Sequence, residues 1–173
     1  MHVGIFGTTE CGKSTLLRFL IRQFRAKGIK TLVWDPLRDP QYKKTGADVV
    51  TPDVSELLSA MRRNPGAAVF LDEAGDEKGN ETFDHIARKY RHGGFALHFA
   101  SQRFKDLTPT VRNCLGAVFA FPLSEIDAAE LARDFRCKDL KAAAEELKAG
   151  DFIYKTRFGD PQRSSVKALF GKV

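Results

Sequence analysis

A glycine-bounded polar segment near the start of the chain has the composition of a phosphate-binding loop. Residues 7–14 read Gly-Thr-Thr-Glu-Cys-Gly-Lys-Ser and match the pattern G-x-x-x-x-G-K-[ST] at every specified position. Glycines let the backbone wrap around phosphates, so that amide N–H groups and a helix N-terminus face the negative charge. In this chemistry Lys13 reaches the β- and γ-phosphates, and Ser14 offers its hydroxyl to Mg²⁺. The pattern predicts binding of ATP and Mg²⁺ by Gly7, Thr8, Thr9, Glu10, Cys11, Gly12, Lys13, Ser14 and Thr15.

A pair of acids, Asp72 and Glu73, follows the apolar run 67–71. The carboxyl ends of parallel strands are where ligands bind in open α/β folds. Asp72 is suited to hold Mg²⁺ through water, and Glu73 is suited to orient or deprotonate the water that attacks the γ-phosphate. Alone, such a pair is common on protein surfaces, but the phosphate loop upstream favours the catalytic interpretation.

Two more polar features follow. Gln102 ends the apolar run 95–101 and is interpreted as a group that bonds the lytic water or senses the γ-phosphate; the competing interpretation is a solvated strand end. Before that run, the cluster 88–94 contains Arg88 and Arg91. These arginines either complement a helix C-terminus or act as an arginine finger toward the ATP of a neighbouring subunit.

Alternating strands and helices must position these residues. Apolar runs predict strands at 2–6, 31–35, 49–50, 67–71, 95–101 and 117–121. Periodicity and capping residues predict helices over 14–26, 53–63, 77–92, 124–135 and 138–148. The segments 151–157 and 163–170 flank Gly159-Asp160-Pro161 and predict a closing hairpin. We therefore expect an α/β fold, with a mostly parallel sheet covered by helices on both faces, in one domain over residues 1–173.

Composition narrows the class of protein. The 173 residues suit one domain, and hydrophobic (43%) and charged (29%) fractions are typical of globular chains. The three cysteines are too few and too scattered for a disulfide scaffold or a zinc module. The sequence has no apolar run of about 18 residues and no signal peptide, so we expect a cytoplasmic protein that does not span a membrane. The net charge of +6 permits nucleic-acid partners.

In order along the chain, the segments GTTECGKST, VFLDEAGD, RKYRHGGFALHFASQRFKDLTPTVRN and AVFAFPLS resemble the FtsK/HerA superfamily of DNA-pumping ATPases. The resemblance covers residues 2 to 124. It implies a RecA-like P-loop core, assembled into a ring with ATP at subunit interfaces and DNA in the pore. The residues that match the family's nucleotide-handling positions are Lys13, Ser14, Asp72, Glu73 and Gln102. Arg91 best matches the arginine position, and Arg88 is next.

The short chain looks most like the genome-packaging ATPases of tailless, membrane-containing viruses. That resemblance implies a hexameric or pentameric ring, double-stranded DNA as cargo, and capsid or virion membrane proteins as docking partners. It also implies a location in the host cytoplasm or with the virion. Glu10 departs from the family, which often has glycine there, and adds a negative side chain near the phosphates.

Two basic regions are candidates for DNA contacts. Residues 88–112 carry six bases against Asp106, and the tail from residue 152 carries five against Asp160. A translocase must contact the DNA backbone rather than base edges. The candidates for the pore are Arg103, Lys105 and the loop 36–47 with Arg38, Lys43 and Lys44, each with ordinary solvated charge as the competing interpretation. Phe104 and Phe170 are predicted to be exposed and available for subunit contacts.

The leading hypothesis is thus a Mg²⁺- and ATP-dependent translocase of double-stranded DNA that packages a viral genome. A small P-loop kinase is the first alternative, in which Asp35, followed by Arg38 and Asp39, serves an acceptor hydroxyl. A nucleotide-gated assembly module without enzymatic activity is the second.

Overall fold

Strand pairing organises the chain around one sheet. The structure, a computed structural model, describes residues 1–75, 80–90 and 93–171. Within those ranges eight strands form a sheet of order β3-β2-β4-β5-β1-β6-β7-β8. They are β1 (His2–Phe6), β2 (Thr31–Trp34), β3 (Val49–Thr51), β4 (Ala68–Leu71), β5 (Ala96–Ser101), β6 (Leu115–Ala120), β7 (Asp151–Thr156) and β8 (Gln162–Ser165). The first six are parallel and the last two form an antiparallel hairpin, so the predicted α/β fold and hairpin are confirmed.

Helices lie between most of the strands, and one follows the last strand. They are α1 (Lys13–Ala26), α2 (Pro40–Lys43), α3 (Val54–Arg63), α4 (Asn80–Lys89), α5 (Pro109–Cys114), α6 (Glu125–Asp134), α7 (Ala142–Glu145) and α8 (Val166–Phe170). The predicted caps of the longer helices are confirmed. Asp53 accepts hydrogen bonds from the backbone of Ser55 and Glu56, and Ser124 accepts one from Asp127. Among the described residues no helix is long and apolar enough to cross a membrane.

The sheet is buried on both faces, which explains the continuous apolar runs of its central strands. Alternate residues of β4 enter different clusters: Val69 and Leu71 join the cluster under α3, α4 and α6, whereas Ala68 and Phe70 join the cluster under α1. Because side chains alternate along a strand, a strand covered on both faces must be apolar at every position.

Several local predictions were wrong. The segment 138–148 is a 3₁₀ turn (Lys138–Lys141) followed by α7, not one helix. The segment 163–170 leaves the sheet after Ser165, whose side chain accepts a hydrogen bond from the backbone of Ala168 and begins α8. Phe104 is fully buried against the ring of Phe6, at 5.1 Å between centroids, whereas Phe170 is exposed as predicted.

Two short helices, α2 and α5, were not predicted. Each begins with a capping residue followed at once by proline: Asp39 before Pro40, and Thr108 before Pro109. That combination is a helix-start signal, because proline at the first position lacks only an N–H that would be unpaired. The apolar periodicity used for the other helices cannot reveal elements of four or six residues.

The strand order brings the polar loops together. β5 lies between β1 and β4, with Phe6 beside Ser101 and Phe99 beside Leu71. The three strands are parallel, so the chain leaves all of them at the same edge of the sheet. Gly7, Asp72 and Gln102 are the first residues beyond that edge.

Candidate functional site

The phosphate-binding pattern forms the turn between β1 and α1. Gly12 has a φ of 113°, in the left-handed region that favours glycine, and α1 begins at the next residue. Lys13 is buried, and its ammonium donates hydrogen bonds to the carbonyl oxygens of Gly7 (2.7 Å) and Thr8 (2.9 Å). The lysine therefore lies over the loop, where an anionic ligand on the backbone amides would meet its charge.

Close packing under the loop explains its first glycine. A Cβ on Gly7 would lie 2.5 Å from the Cβ of Phe121 and 2.6 Å from the Sγ of Cys11. Cys11 is itself buried, and burial raises the pKa of its thiol, so Cys11 acts here as a small packed side chain. Glu10 is exposed and has a φ of 61°. This left-handed backbone conformation strains a residue that has a side chain, and glycine would adopt it with less strain.

Ser14 and Asp72 form the oxygen pair suited to a magnesium ion. The Ser14 hydroxyl donates to Oδ2 of Asp72 at 3.3 Å, and the Glu73 backbone donates to Oδ1 of Asp72 at 3.1 Å. Hydroxyl and carboxylate oxygens are ligands that Mg²⁺ prefers, usually with phosphate and water oxygens in the remaining positions. The described residues contain no group of three or more His, Cys, Asp or Glu side chains around one metal position. The donor set fits Mg²⁺ held jointly by protein and phosphate.

Glu73 occupies a strained turn directly after β4. Its φ is 51°, an uncommon value for a residue with a side chain. The next amide, of Ala74, donates to the carbonyl oxygen of Ala100 at 2.7 Å, and a Cβ on Gly75 would lie 2.7 Å from Ser101 and from Asp106. The chain after β4 thus bends tightly over the end of β5. This bend leaves Glu73 half-buried at the sheet edge.

Gln102 lies beside the phosphate loop. The Thr9 hydroxyl donates to Oε1 of Gln102 at 3.3 Å, a contact between residues 93 positions apart. The segment after Gln102 is anchored by Asp127, a buried carboxylate that lies 3.6 Å from Nε of Arg103 and accepts a hydrogen bond from the Lys105 amide. Gln102 therefore lies within hydrogen-bond reach of the phosphate loop, and the residues after it are fixed to α6.

Tyr42 is a site residue that the sequence did not reveal. It lies fully buried in α2, and its hydroxyl donates to Oδ2 of Asp72 at 2.5 Å. Burial, and then the negative charge of Asp72, raise the pKa of Tyr42 far above its ordinary value, so it stays a donor. Asp35, one residue beyond β2, is also buried; burial and then the charge of Asp72 raise the pKa of its carboxyl.

The two predicted arginines are not both placed by the structure. Arg88 lies near the end of α4 and donates from Nη2 to the Thr110 hydroxyl at 2.9 Å. α4 leads into the start of β5, so Arg88 lies toward the sheet edge opposite the phosphate loop of its own chain. Arg91 lies outside the described residues. The structure thus brings Lys13, Ser14, Asp72, Glu73 and Gln102 to one edge, and Arg88 is not among them.

Two of the five bases predicted in the tail bond to backbone carbonyls of the chain itself, and Lys172 lies outside the described residues. Arg157 donates to three backbone carbonyls, Lys155 is buried and donates to the carbonyl of Thr156, and Arg163 pairs with Glu146 at 2.5 Å. The expectation of a tail free to contact DNA is therefore wrong for Arg157 and Lys155, whereas Arg163 is exposed and its contact with Glu146 is a surface ion pair. The exposed candidates elsewhere are Arg38, Lys43, Lys44, Arg103 and Lys105.

No protein-family model matches the chain, and no curated protein sequence matches it. Solved structures do. The genome-packaging NTPase B204 of Sulfolobus turreted icosahedral virus 2, bound to AMPPCP, is 20% identical with a TM-score of 0.76, over 94% of this chain and 96% of that one. VirB4 of Thermoanaerobacter pseudethanolicus is 10% identical with a TM-score of 0.69, over 95% and 88%.

The pCW3 conjugation coupling protein TcpA, with ATPγS, is 18% identical with a TM-score of 0.64, over 95% of this chain and 59% of that one. At these identities the similarity establishes the fold. The fold predicted from the resemblance to FtsK/HerA-type ATPases is therefore confirmed.

Proposed function

We propose that this chain is a single-domain, Mg²⁺-dependent ATPase that moves double-stranded DNA and packages a viral genome into a preformed capsid. The observation that carries the proposal is the convergence of the ends of β1, β4 and β5, which brings the phosphate loop, the acid pair and Gln102 to one edge. The fold shared with a genome-packaging NTPase supports the same conclusion.

Nucleotide binding would begin with Lys13. Its ammonium now lies on the carbonyl oxygens of Gly7 and Thr8, and it would exchange these for β- and γ-phosphate oxygens. Ser14 and Asp72 would hold Mg²⁺, which when bound neutralises charge on the phosphates. Asp72 is already oriented by the Glu73 amide, so little reorganisation is needed.

Hydrolysis would use the two polar residues beside the phosphates. Glu73 would accept a proton from the attacking water, since its carboxylate follows β4 at the ligand edge. Gln102 would contact the γ-phosphate or that water. Its hydrogen bond with Thr9 would make its position depend on whether nucleotide is bound in the phosphate loop. An adjacent general base is what separates sustained hydrolysis from slow, switch-like turnover.

A ring would complete the site. Arg88 and Arg91 are the candidates for an arginine finger supplied to a neighbouring subunit, and we favour Arg91 from the family resemblance. The position of Arg88 toward the opposite edge is compatible with action on a neighbour's nucleotide. A pentameric or hexameric ring would gather the exposed Arg38, Lys43, Lys44, Arg103 and Lys105 around DNA. Capsid or virion membrane proteins would dock this ring in the host cytoplasm or at the virion.

The test is ATP hydrolysis with and without duplex DNA, at physiological salt. We expect hydrolysis that duplex DNA stimulates, and loss of hydrolysis in Lys13→Ala. Glu73→Gln should retain ATP binding while losing turnover. Turnover that is intact in Glu73→Gln would refute the catalytic assignment. Absence of hydrolysis in wild-type protein even with DNA would favour the nucleotide-gated assembly module.

The kinase alternative has one observation in its favour. Asp35, Arg38 and Asp39 line a cavity of about 300 Å³ with Pro40, Lys43, Val50, Thr51 and Pro52, where a small acceptor would fit. The two activities differ in the fate of the γ-phosphate. Transfer of ³²P from γ-labelled ATP to small hydroxyl compounds, rather than release as inorganic phosphate, would establish the kinase and exclude the motor.

A further inference from the structure

The loop between β2 and β3, residues 36–47, is joined to the nucleotide site by a buried hydrogen bond. Tyr42 is fully buried, and its hydroxyl donates to Oδ2 of Asp72 at 2.5 Å. The two residues are 30 positions apart, so the contact ties this loop to the end of β4. Hydrogen bonds to ionised acceptors are the stronger ones, and burial excludes competing water.

The acceptor positions of Asp72 identify what Tyr42 does. Oδ1 accepts from the Glu73 amide, while Oδ2 accepts from both Tyr42 and Ser14. If Ser14 turns its hydroxyl toward a magnesium ion, it no longer donates to Asp72. Tyr42 is then the remaining side-chain donor that fixes the orientation of the Asp72 carboxylate among these contacts.

A second polar contact joins the same loop to the phosphate-binding segment. Arg18 of α1 pairs with Asp39 at 3.0 Å, and its guanidinium also donates to the Thr15 hydroxyl at 3.1 Å. Asp39 in turn caps α2 by accepting from the Gln41 amide. Both ends of α2 are thus attached to elements that hold the nucleotide.

The other side of loop 36–47 is exposed to solvent and positively charged. Arg38, Lys43 and Lys44 are exposed, as is Leu37 with 73% of its surface accessible. Within the described ranges none of the three bases forms an ion pair with a carboxylate. Unpaired bases beside an exposed apolar side chain suit the phosphates and sugars of a nucleic-acid backbone.

We propose that Tyr42 is a positioning residue that couples DNA contact at loop 36–47 to the orientation of Asp72. Binding of duplex DNA and binding of the magnesium–nucleotide complex then strengthen each other by the same factor, as linkage requires. The coupling rests on the proposed function, because it takes Asp72 to be the magnesium-holding carboxylate and DNA to be the loop's partner.

The test compares Tyr42→Phe, which keeps the ring and removes only the hydroxyl, with Tyr154→Phe as the matched control on β7. Mutation of a residue that orients a metal-binding carboxylate typically weakens metal affinity by about 10–100-fold. We expect Tyr42→Phe to weaken Mg²⁺ binding about tenfold in titrations with AMPPNP, while affinity for AMPPNP in EDTA stays unchanged. A purely structural role would lower the melting temperature without this difference, and Tyr154→Phe should match wild type.

Coupling is measured as the ratio of duplex-DNA dissociation constants without and with Mg²⁺–AMPPNP. We expect this ratio to exceed one in wild type and to fall toward one in Tyr42→Phe. DNA binding with an unchanged ratio in Tyr42→Phe would overturn the coupling and leave the motor intact. No DNA binding by wild type would instead count against the proposed function, and the coupling would fail with it.

Wild-type protein provides a second measurement in case Tyr42→Phe does not fold. Hydrogen–deuterium exchange of the peptides that cover residues 36–47 should slow when Mg²⁺–AMPPNP binds, and should slow less with AMPPNP and EDTA. Equal exchange under both conditions would overturn the link from loop to metal site.

Discussion

Arg157 has a different role in the structure from the one that its sequence context predicts. The tail's positive charge suggests a phosphate contact, yet in the structure this guanidinium faces the protein. It donates to the backbone carbonyls of Leu115 (2.9 Å), Asp134 (2.7 Å) and Arg112 (2.9 Å). It also lies over the ring of Phe135, at 4.3 Å from the centroid. Arg157 therefore joins the end of β7 to the last residues of α5 and α6.

The expected cost of Arg157→Ala follows from these contacts. The side chain is partly exposed, so each hydrogen bond contributes about 1 kcal/mol rather than the larger value of a buried charged pair. The contact with the aromatic ring adds about 0.5–1 kcal/mol. We expect the free energy of unfolding to fall by about 3–4 kcal/mol. For a chain of this size the melting temperature then falls by roughly 6–15 °C.

The assay is urea unfolding followed by circular dichroism, with Arg157→Lys and Lys43→Ala as comparisons. Lysine keeps the charge but presents no planar fork, so Arg157→Lys should recover about a third of the stability that Arg157→Ala removes. Lys43→Ala, on an exposed side chain, should change stability by less than about 0.5 kcal/mol.

DNA binding gives the decisive contrast. Removing one basic side chain that binds a DNA phosphate makes the slope of log affinity against log salt concentration shallower by about 0.9. Lys43→Ala should show that change, and Arg157→Ala should not, at a temperature where both are folded. Wild-type stability in Arg157→Ala together with a shallower slope would refute the structural assignment and restore the interpretation of Arg157 as a phosphate contact.

Four further predictions concern the site and the core. Glu73→Gln should lower the turnover number at least about 100-fold while fluorescent-ATP affinity stays within about twofold. Mixtures of Lys13→Ala with Arg88→Ala or Arg91→Ala should recover part of the ATPase activity if that arginine acts on a neighbour; no recovery for either would exclude a trans finger. Glu10→Gly should tighten ATP binding and raise the melting temperature, since it removes a negative charge and a left-handed side chain. Burial lowers the pKa of His98 to about 4, so protons bind the unfolded chain preferentially. The stability contributed by this residue is therefore complete above about pH 6.5 and declines as the pH falls to about 4. The variant His98→Leu should show a smaller decline when unfolding is measured across this pH range.

Local sequence was sufficient for most of the longer elements. Strands such as β1 and β4 are apolar at nearly every position because both faces of the sheet are covered, and that pattern is visible in the residues. Asp53 and Ser124 signalled helix starts through hydrogen bonds that span only two or three residues. Such signals need no knowledge of the rest of the chain.

Burial of particular side chains was not visible in the same way. Phe104 follows a polar segment and precedes Lys105, yet it packs under Phe6 and Arg112. Arg157 and Lys155 have the composition of a basic surface, yet their donors satisfy carbonyls inside the chain. For Arg157 the hydrogen-bond partners lie 23 to 45 positions away, and sequence spacing does not encode them.

By itself the sequence determined the parts of the site whose geometry is local: the phosphate loop with Lys13 and Ser14, and the acids that follow β4. Those placements depend on a short backbone turn and on the end of one strand, so neighbouring residues are enough to specify them. The tertiary structure alone decided which strands are neighbours. By placing β5 between β1 and β4 it brought Gln102 to Thr9, and by folding loop 36–47 inward it placed Tyr42 on Asp72. Both contacts join residues distant in sequence. They form only when the strands and loops that carry them pack side by side, and sequence spacing does not specify that packing.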